Sequence, residues 1–276
     1  MDNWTRSEKA YFEETTPARL REMEREYIWH YPNVSFLFRR FEARVAGGPR
    51  LRILEIGCGP AVSPRRYFRA AGLSPFYLGA DISSAMLSHA AKAFPGGHFI
   101  QCDLSRPLPL REGVFDFVVS LGVLHHLEDL AASLQAISAL LQPGGEALLH
   151  EPNPHAFNFW DGTSPRERSV SPQALAQAAP AVGLAIVSSH RVNAPLFLRW
   201  RLWLRRLHLG FLLRPRFCWW LKHRLEVLWE PLGDRFPRLR GMNSYYVLKK
   251  SEYRETKSVT TGQIRNSNIE IRNKSE

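Results

Sequence analysis

Three carboxylates, Glu55, Asp81 and Asp103, stand at or near the ends of short apolar runs, LRILEI, FYLGAD and HFIQCD, and a glycine pair, Gly57 and Gly59, follows the first of them. Glycine has no Cβ, so the backbone there can turn sharply and approach a ligand closely. A helix-compatible run, 63–71, comes directly after, and the free N–H groups of its first turn would point at whatever the glycine turn holds. Asp81 lies close to the ~20-residue offset from such a turn at which a carboxylate meets a ribose. It could accept both ribose hydroxyls, or it could cap the helix ISSAMLSHAAKAF, work that Ser83 or Ser84 could do equally well. Histidines gather in two places, His125 and His126 in LHHL, and His150 and His155 beside Glu151 in HEPNPH. Imidazole titrates near neutrality, which suits a general base. Neither group has a metal-ligand arrangement, so no metal is expected.

The elements that must position these residues alternate. Strands are expected over 51–56, 76–81, 98–103 and 115–120 and again in EALLHEPN, with helical periodicity between them, as in Leu127, Leu130, Leu134, Ile137 and Leu141, a helix that LQPGG should end. A further helix and strand follow from Ser171 to Val192, and SYYVLKK is the candidate last strand. Such alternation implies an α/β fold with a parallel sheet and right-handed crossovers, whose ligands bind over the carboxyl ends of the strands. Gly57, Asp81, Asp103, Ser120 and Glu151 all fall there. A dinucleotide fingerprint would need a third glycine where this chain has Val62, and Glu55 is awkward beside a pyrophosphate but useful beside a cationic amine. A nicotinamide oxidoreductase is therefore disfavoured.

The run E-I-G-C-G-P-A resembles motif I of the class I S-adenosylmethionine-dependent methyltransferases, with Ala61 where members often carry a third glycine. LQPGGEALLHEPN resembles the segment that closes the cofactor half of that family, and the resemblance covers about 50–192 plus the last strand. It implies a doubly wound, mostly parallel seven-stranded Rossmann-like sheet. It also implies S-adenosyl-L-methionine as co-substrate, held by Glu55, Gly57, Cys58, Gly59, Asp81, Ile82, Asp103, Leu104 and Ser120. Asp103 would meet the adenine amino group and Leu104 the ring. LHHL resembles a segment bordering the acceptor pocket, which makes His125 and His126 the candidate bases. N-terminal helices in this family often cover the cofactor or acceptor pocket.

The expected organisation is an N-terminal helical cover (1–46), the S-adenosylmethionine-binding domain (47–194 plus 241–250), a basic and aromatic helical insertion (195–240) and a disordered tail (251–276). The chain has 276 residues, enough for a sizeable core, and 37 Lys and Arg against 26 Asp and Glu, for a net charge of +11. Between Arg191 and Arg240 there are twelve basic residues against three acids, and five of the eight tryptophans. On a helix, Leu196, Phe197, Trp200, Trp203, Leu204, Leu207 and Phe211 form an apolar stripe with arginines outside it, the composition of a helix lying in a bilayer interface. A lid over the acceptor, a dimer interface and single-stranded nucleic acid are the competing readings, nucleic acid the weakest because a continuous leucine-rich stripe offers no isolated stacking platforms. Three widely spaced cysteines imply neither disulfides nor zinc, the N-terminus is too charged for a signal peptide, and no apolar run is long enough to span a bilayer. The resulting expectation is a cytoplasmic, peripheral-membrane methyltransferase acting on an amphipathic or lipid-linked acceptor. A soluble small-molecule O-, N- or C-methyltransferase and a non-catalytic cofactor-binding protein are the alternatives. Oligomeric state is left open.

Overall fold

The computed structural model describes residues 37–45, 50–152, 170–192 and 243–252, together with Ala10, Glu13, Leu20 and Arg21. The insertion 195–240, His155, most of the N-terminal helical cover and most of the tail lie outside the described residues.

The described strands are β1 (Arg52–Ile56), β2 (Phe76–Asp81), β3 (His98–Gln101), β4 (Phe115–Leu121), β5 (Leu141–Pro152), β6 (Leu184–Val192) and β7 (Asn243–Lys250). They form one sheet in the order β3-β2-β1-β4-β5-β7-β6. β1 to β5 run parallel, and β7 pairs antiparallel with both β5 and β6. Helices α1 (Val62–Ala71), α2 (Ser84–Ala93), α3 (Leu130–Leu140) and α4 (Pro172–Ala181) supply crossovers. The strands read as nearly continuous apolar runs because both faces are covered. One face carries Leu54, Ile56, Val118, Leu134 and Leu149, the other Ile53, Tyr77, Phe117, Val119 and Leu148.

The helical segment 37–45 is part of that second core. Leu37, Phe38 and Phe41 are fully buried, and Phe41 meets Phe117 edge-on at 4.8 Å between centroids. Arg40 forms a two-pronged ion pair with Glu146, one bond 2.6 Å long, and Arg44 donates to the Gly144 carbonyl at 2.7 Å. This end of the N-terminal region is thus fastened along the sheet to the early part of β5, away from the strand tips.

Three boundaries differ from those read in the sequence. β3 stops at Gln101, so Asp103 sits in the loop beyond it, where it accepts from the Ser105 N–H at 2.9 Å and its hydroxyl at 2.6 Å. The histidines do not open a long helix: they close a 3-10 turn, Leu124–His126, and α3 begins afresh at Leu130 because Asp129 caps it through the Ala132 N–H. LQPGG belongs to β5 as an irregularity, the pairing jumping from Phe115↔Leu141 to Phe117↔Glu146. Among the described residues no helix is long and apolar enough to cross a membrane.

Candidate functional site

The tips of β1, β2 and β4 meet at the glycine turn. Gly57 has φ 63° and Gly59 φ 47°, and Ala61, at φ 50°, takes the left-handed conformation without glycine's freedom. A Cβ on Gly57 would lie 2.3 Å from Val123 Cγ2, whereas one on Gly59 would meet no atom within 4 Å. The first glycine therefore makes room for a neighbouring turn, and the second leaves its backbone open to a ligand. α1 begins behind them with neither a side-chain cap nor an acid in its first turn, so its free N–H groups are left for a partner. Ser63 Oγ is buried there with no hydrogen-bond partner among the described residues.

Asp81 ends β2 and is 8% exposed. Its Oδ2 accepts the Gly59 N–H at 2.8 Å and its Oδ1 the Ser83 N–H at 2.9 Å. The cap of α2 is Ser83, which accepts from Met86 at 3.2 Å, so the capping alternative for Asp81 is not what the structure shows. A carboxylate has about four lone-pair sites, so beyond the backbone amides it serves, Asp81 keeps accepting capacity that suits a ribose hydroxyl. Burial holds its proton affinity above the ordinary range, partly offset by those amides. Ile82 follows it, half-buried, its carbonyl accepting from Gln101 at 2.9 Å.

Glu55 is 3% exposed, with the Tyr77 hydroxyl hydrogen-bonded to its carboxyl. Burial pushes it up to about 8, Tyr77 opposing and the Asp81 charge adding to the rise. Cys58, buried between these two acids, has its thiol pushed well up, chiefly by burial, and Cys102 rises to about 11 for the same reason. Neither thiol is a nucleophile at neutral pH. On the β3 side, Asp103 keeps Oδ2 buried with no hydrogen bond among the described residues, 3.4 Å from Arg106 Nε. An acceptor in that state fits an amino group. Leu104 beside it lines a groove of about 590 Å³, with Leu108, Leu127 and Leu140 on its apolar side and Arg106, Glu112 and Glu128 also lining it. Ser120, at the end of β4 and 0% exposed, likewise has a hydroxyl without a partner among the described residues.

Beyond β4 the chain turns under Glu151. This carboxylate, 0% exposed at the end of β5, accepts the N–H groups of Val123 (3.3 Å), Leu124 (3.0 Å) and His125 (3.3 Å), and His125 Nδ1 lies 2.8 Å away. The His126 ring stands 4.0 Å from that of His125. Burial, with the neighbouring His125 adding to it, lowers His126 to about 3, so it stays neutral and is a weak base. Of the two candidate bases, His125 is the one in a carboxylate pair.

The structure therefore gathers Glu55, Gly57, Cys58, Gly59, Asp81, Ile82 and Ser120 around one turn, with Asp103 and Leu104 at its flank and the histidines beside it. The sequence reading missed Tyr77, the hydrogen-bond partner of Glu55, although a polar-tipped aromatic in a fully buried strand is a signal that its tip has a partner. It also missed Glu13, which accepts from Ser84 N (2.9 Å), Ser84 Oγ (3.2 Å) and Ala85 N (3.2 Å) at the start of α2, and for which the sequence holds no signal. Among the described residues no group of three or more His, Cys, Asp and Glu could hold a metal ion.

Residues 54–149 match the family model described as "Methyltransferase domain". The Fusarin C synthetase of Gibberella moniliformis is 32% identical over 113 residues, 37% of this chain and 3% of that protein. The malonyl-[acyl-carrier protein] O-methyltransferase of Pseudescherichia vulneris is 33% identical over 93 residues, 34% of this chain and 36% of that protein. The chain thus spans little more than a third of the O-methyltransferase and a small fraction of the synthetase. Among solved structures, phosphoethanolamine N-methyltransferase 2 of Haemonchus contortus, in complex with S-adenosyl-L-methionine, superposes with TM-score 0.59 at 16% identity over 91% of this chain and 60% of that one. At that identity the likeness is one of fold.

Proposed function

The chain belongs to the class I S-adenosylmethionine-dependent methyltransferases, and on that premise we propose that it moves the methyl group of S-adenosyl-L-methionine to an amphipathic or lipid-linked acceptor at an anionic membrane surface. The observation that carries the transfer is the meeting of the open Gly59 backbone, the Asp81 carboxylate and the orphaned Ser120 hydroxyl at the tips of three adjacent strands, next to the His125–Glu151 pair. When bound, S-adenosyl-L-methionine supplies an activated methyl on a sulfonium, open to in-line displacement. Asp81 holds the sugar, Asp103 and Leu104 the base, and the α1 N-terminus and Ser120 the amino-acid end. The remaining work of the protein is to hold acceptor and methyl in near-attack geometry in a dry pocket.

Support for the acceptor class comes from the sequence of 195–240. Its tryptophan-bearing apolar stripe suits the acyl-chain boundary, and each of its arginines is favoured by about 1 kcal/mol near an anionic surface. Two measurements test the proposal. Calorimetry should give saturable binding of S-adenosyl-L-methionine and of its demethylated product; absence of both overturns the transferase. Flotation with phosphatidylglycerol vesicles at low salt should carry the chain upward, and lose it as salt screens the charges. A chain that stays down at low salt has a soluble acceptor, and the membrane half of the proposal is overturned.

A further inference from the structure

The two helical layers that cover the sheet differ in charge. On one face, α3 and α4 contain no Lys, Arg, Asp or Glu, and in the loops beside them Arg106 and Arg111 stand against Asp103, Glu112, Glu128 and Asp129. On the other face lie the segment 37–45, α1 and α2. From Ile56 to Cys102, the stretch that contains both helices, the only acid is Asp81, and it is buried at the strand tips. The same stretch carries Arg65, Arg66, Arg69 and Lys92, and Arg39 joins them from 37–45. Arg39, Arg69 and Lys92 are exposed. These cations share one surface. Phe38 meets Tyr67 of α1 edge-on at 5.3 Å, and Arg65 Nη1 donates to the Ala93 carbonyl at the end of α2 at 3.2 Å. Arg69 lies one turn beyond Arg65 on the same side of α1, and Lys92 immediately precedes Ala93. Among the described residues, Arg39, Arg66, Arg69 and Lys92 have no ion pair. The outward acids described in this layer are Glu42, bonded to the Tyr67 hydroxyl, and Glu13, bonded to the first turn of α2 at the far end from Lys92. A helix dipole favours a cation in the last turn, which accounts for Arg69 and Lys92 singly. It does not account for the lack of any exposed acid along α1 and α2.

We propose that the layer formed by 37–45, α1 and α2 is a second docking surface for an anionic phospholipid bilayer, separate in sequence from 195–240, and that it lays the domain on its side against the headgroups. The inference rests on the membrane half of the reading above. A bilayer is the partner that the shape of this surface favours. Its cations are spread over three helices side by side on a sheet, a broad face and not a groove. Single-stranded nucleic acid uses exposed aromatic side chains as stacking platforms, and Val45 is the one exposed large hydrophobic of this layer among the described residues. The potential of an anionic bilayer fades within a Debye length, about 10 Å at 0.1 M salt, so cations act together only on a face that lies flat against it. Because α1 and α2 cover the sheet, the strands then run alongside the bilayer, and their tips stand one helix diameter, about 10 Å, from the headgroups. An acceptor anchored in that bilayer reaches the tips without leaving the surface.

The test is flotation of the full chain with mixed phosphatidylcholine and phosphatidylglycerol vesicles at low salt. Arg69→Gln with Lys92→Gln removes two exposed cations from the layer, and Arg52→Gln with Arg111→Gln removes two exposed cations from elsewhere, so net charge falls equally in both. One cation close to an anionic surface is worth about fivefold in partition, so the first pair should weaken vesicle binding about twenty-five-fold and the second pair less than about twofold. Both should bind S-adenosylhomocysteine as wild type does in calorimetry, which reports an intact fold. Where the first pair does not fold, Arg69→Gln alone should weaken vesicle binding about fivefold. Equal losses for the two pairs overturn the inference, because the chain then responds to net charge and not to this face. A full chain that binds double-stranded RNA more tightly than vesicles at the same salt, and loses that binding in the first pair, overturns the choice of a bilayer. Wild type that stays down with every vesicle overturns the membrane half of the proposed function and this inference with it, whereas wild type and first pair floating equally well remove this inference alone.

Discussion

Glu55 makes stability depend on pH in a way that one substitution should erase. In the unfolded chain its carboxyl titrates at the ordinary 4.5; in the fold, burial moves it to about 8. Between these values the folded chain keeps a proton that the unfolded chain has released. A raised acid contributes stability that is fully present below the unfolded value and is lost as pH rises through the folded one. Each pH unit inside the window removes about 1.4 kcal/mol, so the whole window corresponds to about 5 kcal/mol and the interval from pH 6 to pH 8 to about 3 kcal/mol. Glu55→Gln keeps the shape and can still accept from Tyr77, but it has no proton to lose. Asp81 and Cys102, raised chiefly by burial, are common to both proteins, so that part of their contribution cancels, and the Asp81–Glu55 coupling is read as part of the Glu55 effect. Urea unfolding of the ligand-free chain at pH 6, 7 and 8 should show wild type losing stability relative to Glu55→Gln by about 1.4 kcal/mol per pH unit. Parallel lines for the two proteins would refute the reasoning, because they would mean that Glu55 is already ionised in the fold.

Asp81→Asn should weaken binding of S-adenosyl-L-methionine by about ten- to hundredfold, since it removes the charge from hydrogen bonds worth about 1.5 to 3 kcal/mol; calorimetric affinity within twofold of wild type would end the ribose assignment. Gly57→Ala sets a Cβ 2.3 Å from a valine methyl at φ 63°, and thermal unfolding should register a loss of about 2 to 5 kcal/mol. Gly59→Ala meets no atom, so it should cost only about 1 to 2 kcal/mol of backbone strain yet still reduce affinity for the nucleoside, the reverse weighting of fold against ligand. Ser83→Ala removes the α2 cap and should lower stability by about 1 kcal/mol in the same unfolding assay.

How far the sequence could be read depends on how far apart the interacting residues lie along the chain. β2 was legible to the residue at both ends, because FYLGAD is a short apolar run bounded by Pro75 and an acid and is stabilised by burial on both faces. The glycine turn was legible too, as its constraint is local: φ 63° and 47° are conformations in which glycine has little competition. LQPGG was read as a helix stop and is in fact an irregular entry into β5, because its geometry is set by pairing with Phe115 and Phe117 and not by its own turn residues. Glu55 was visible as an acid before the glycines. Its neutral state was not, since that follows from burial and from the Tyr77 hydroxyl on a neighbouring strand.

The histidine pair carries the same point into the chemistry. His125 and His126 are adjacent and of one type, so nothing in LHHL ranks them. A 3-10 turn advances about 120° per residue, so neighbouring side chains leave it in different directions. That difference alone would not choose a base. What tells the two rings apart is Glu151, twenty-six positions further on, which comes to the turn because β5 lies beside β4 in the sheet. One imidazole then lies 2.8 Å from a carboxylate oxygen, and the other is desolvated beside a fellow imidazole and falls to about 3. Identical side chains one residue apart therefore meet different surroundings, one beside a carboxylate and one beside an imidazole, and the cause of the difference lies in the strand order of the sheet.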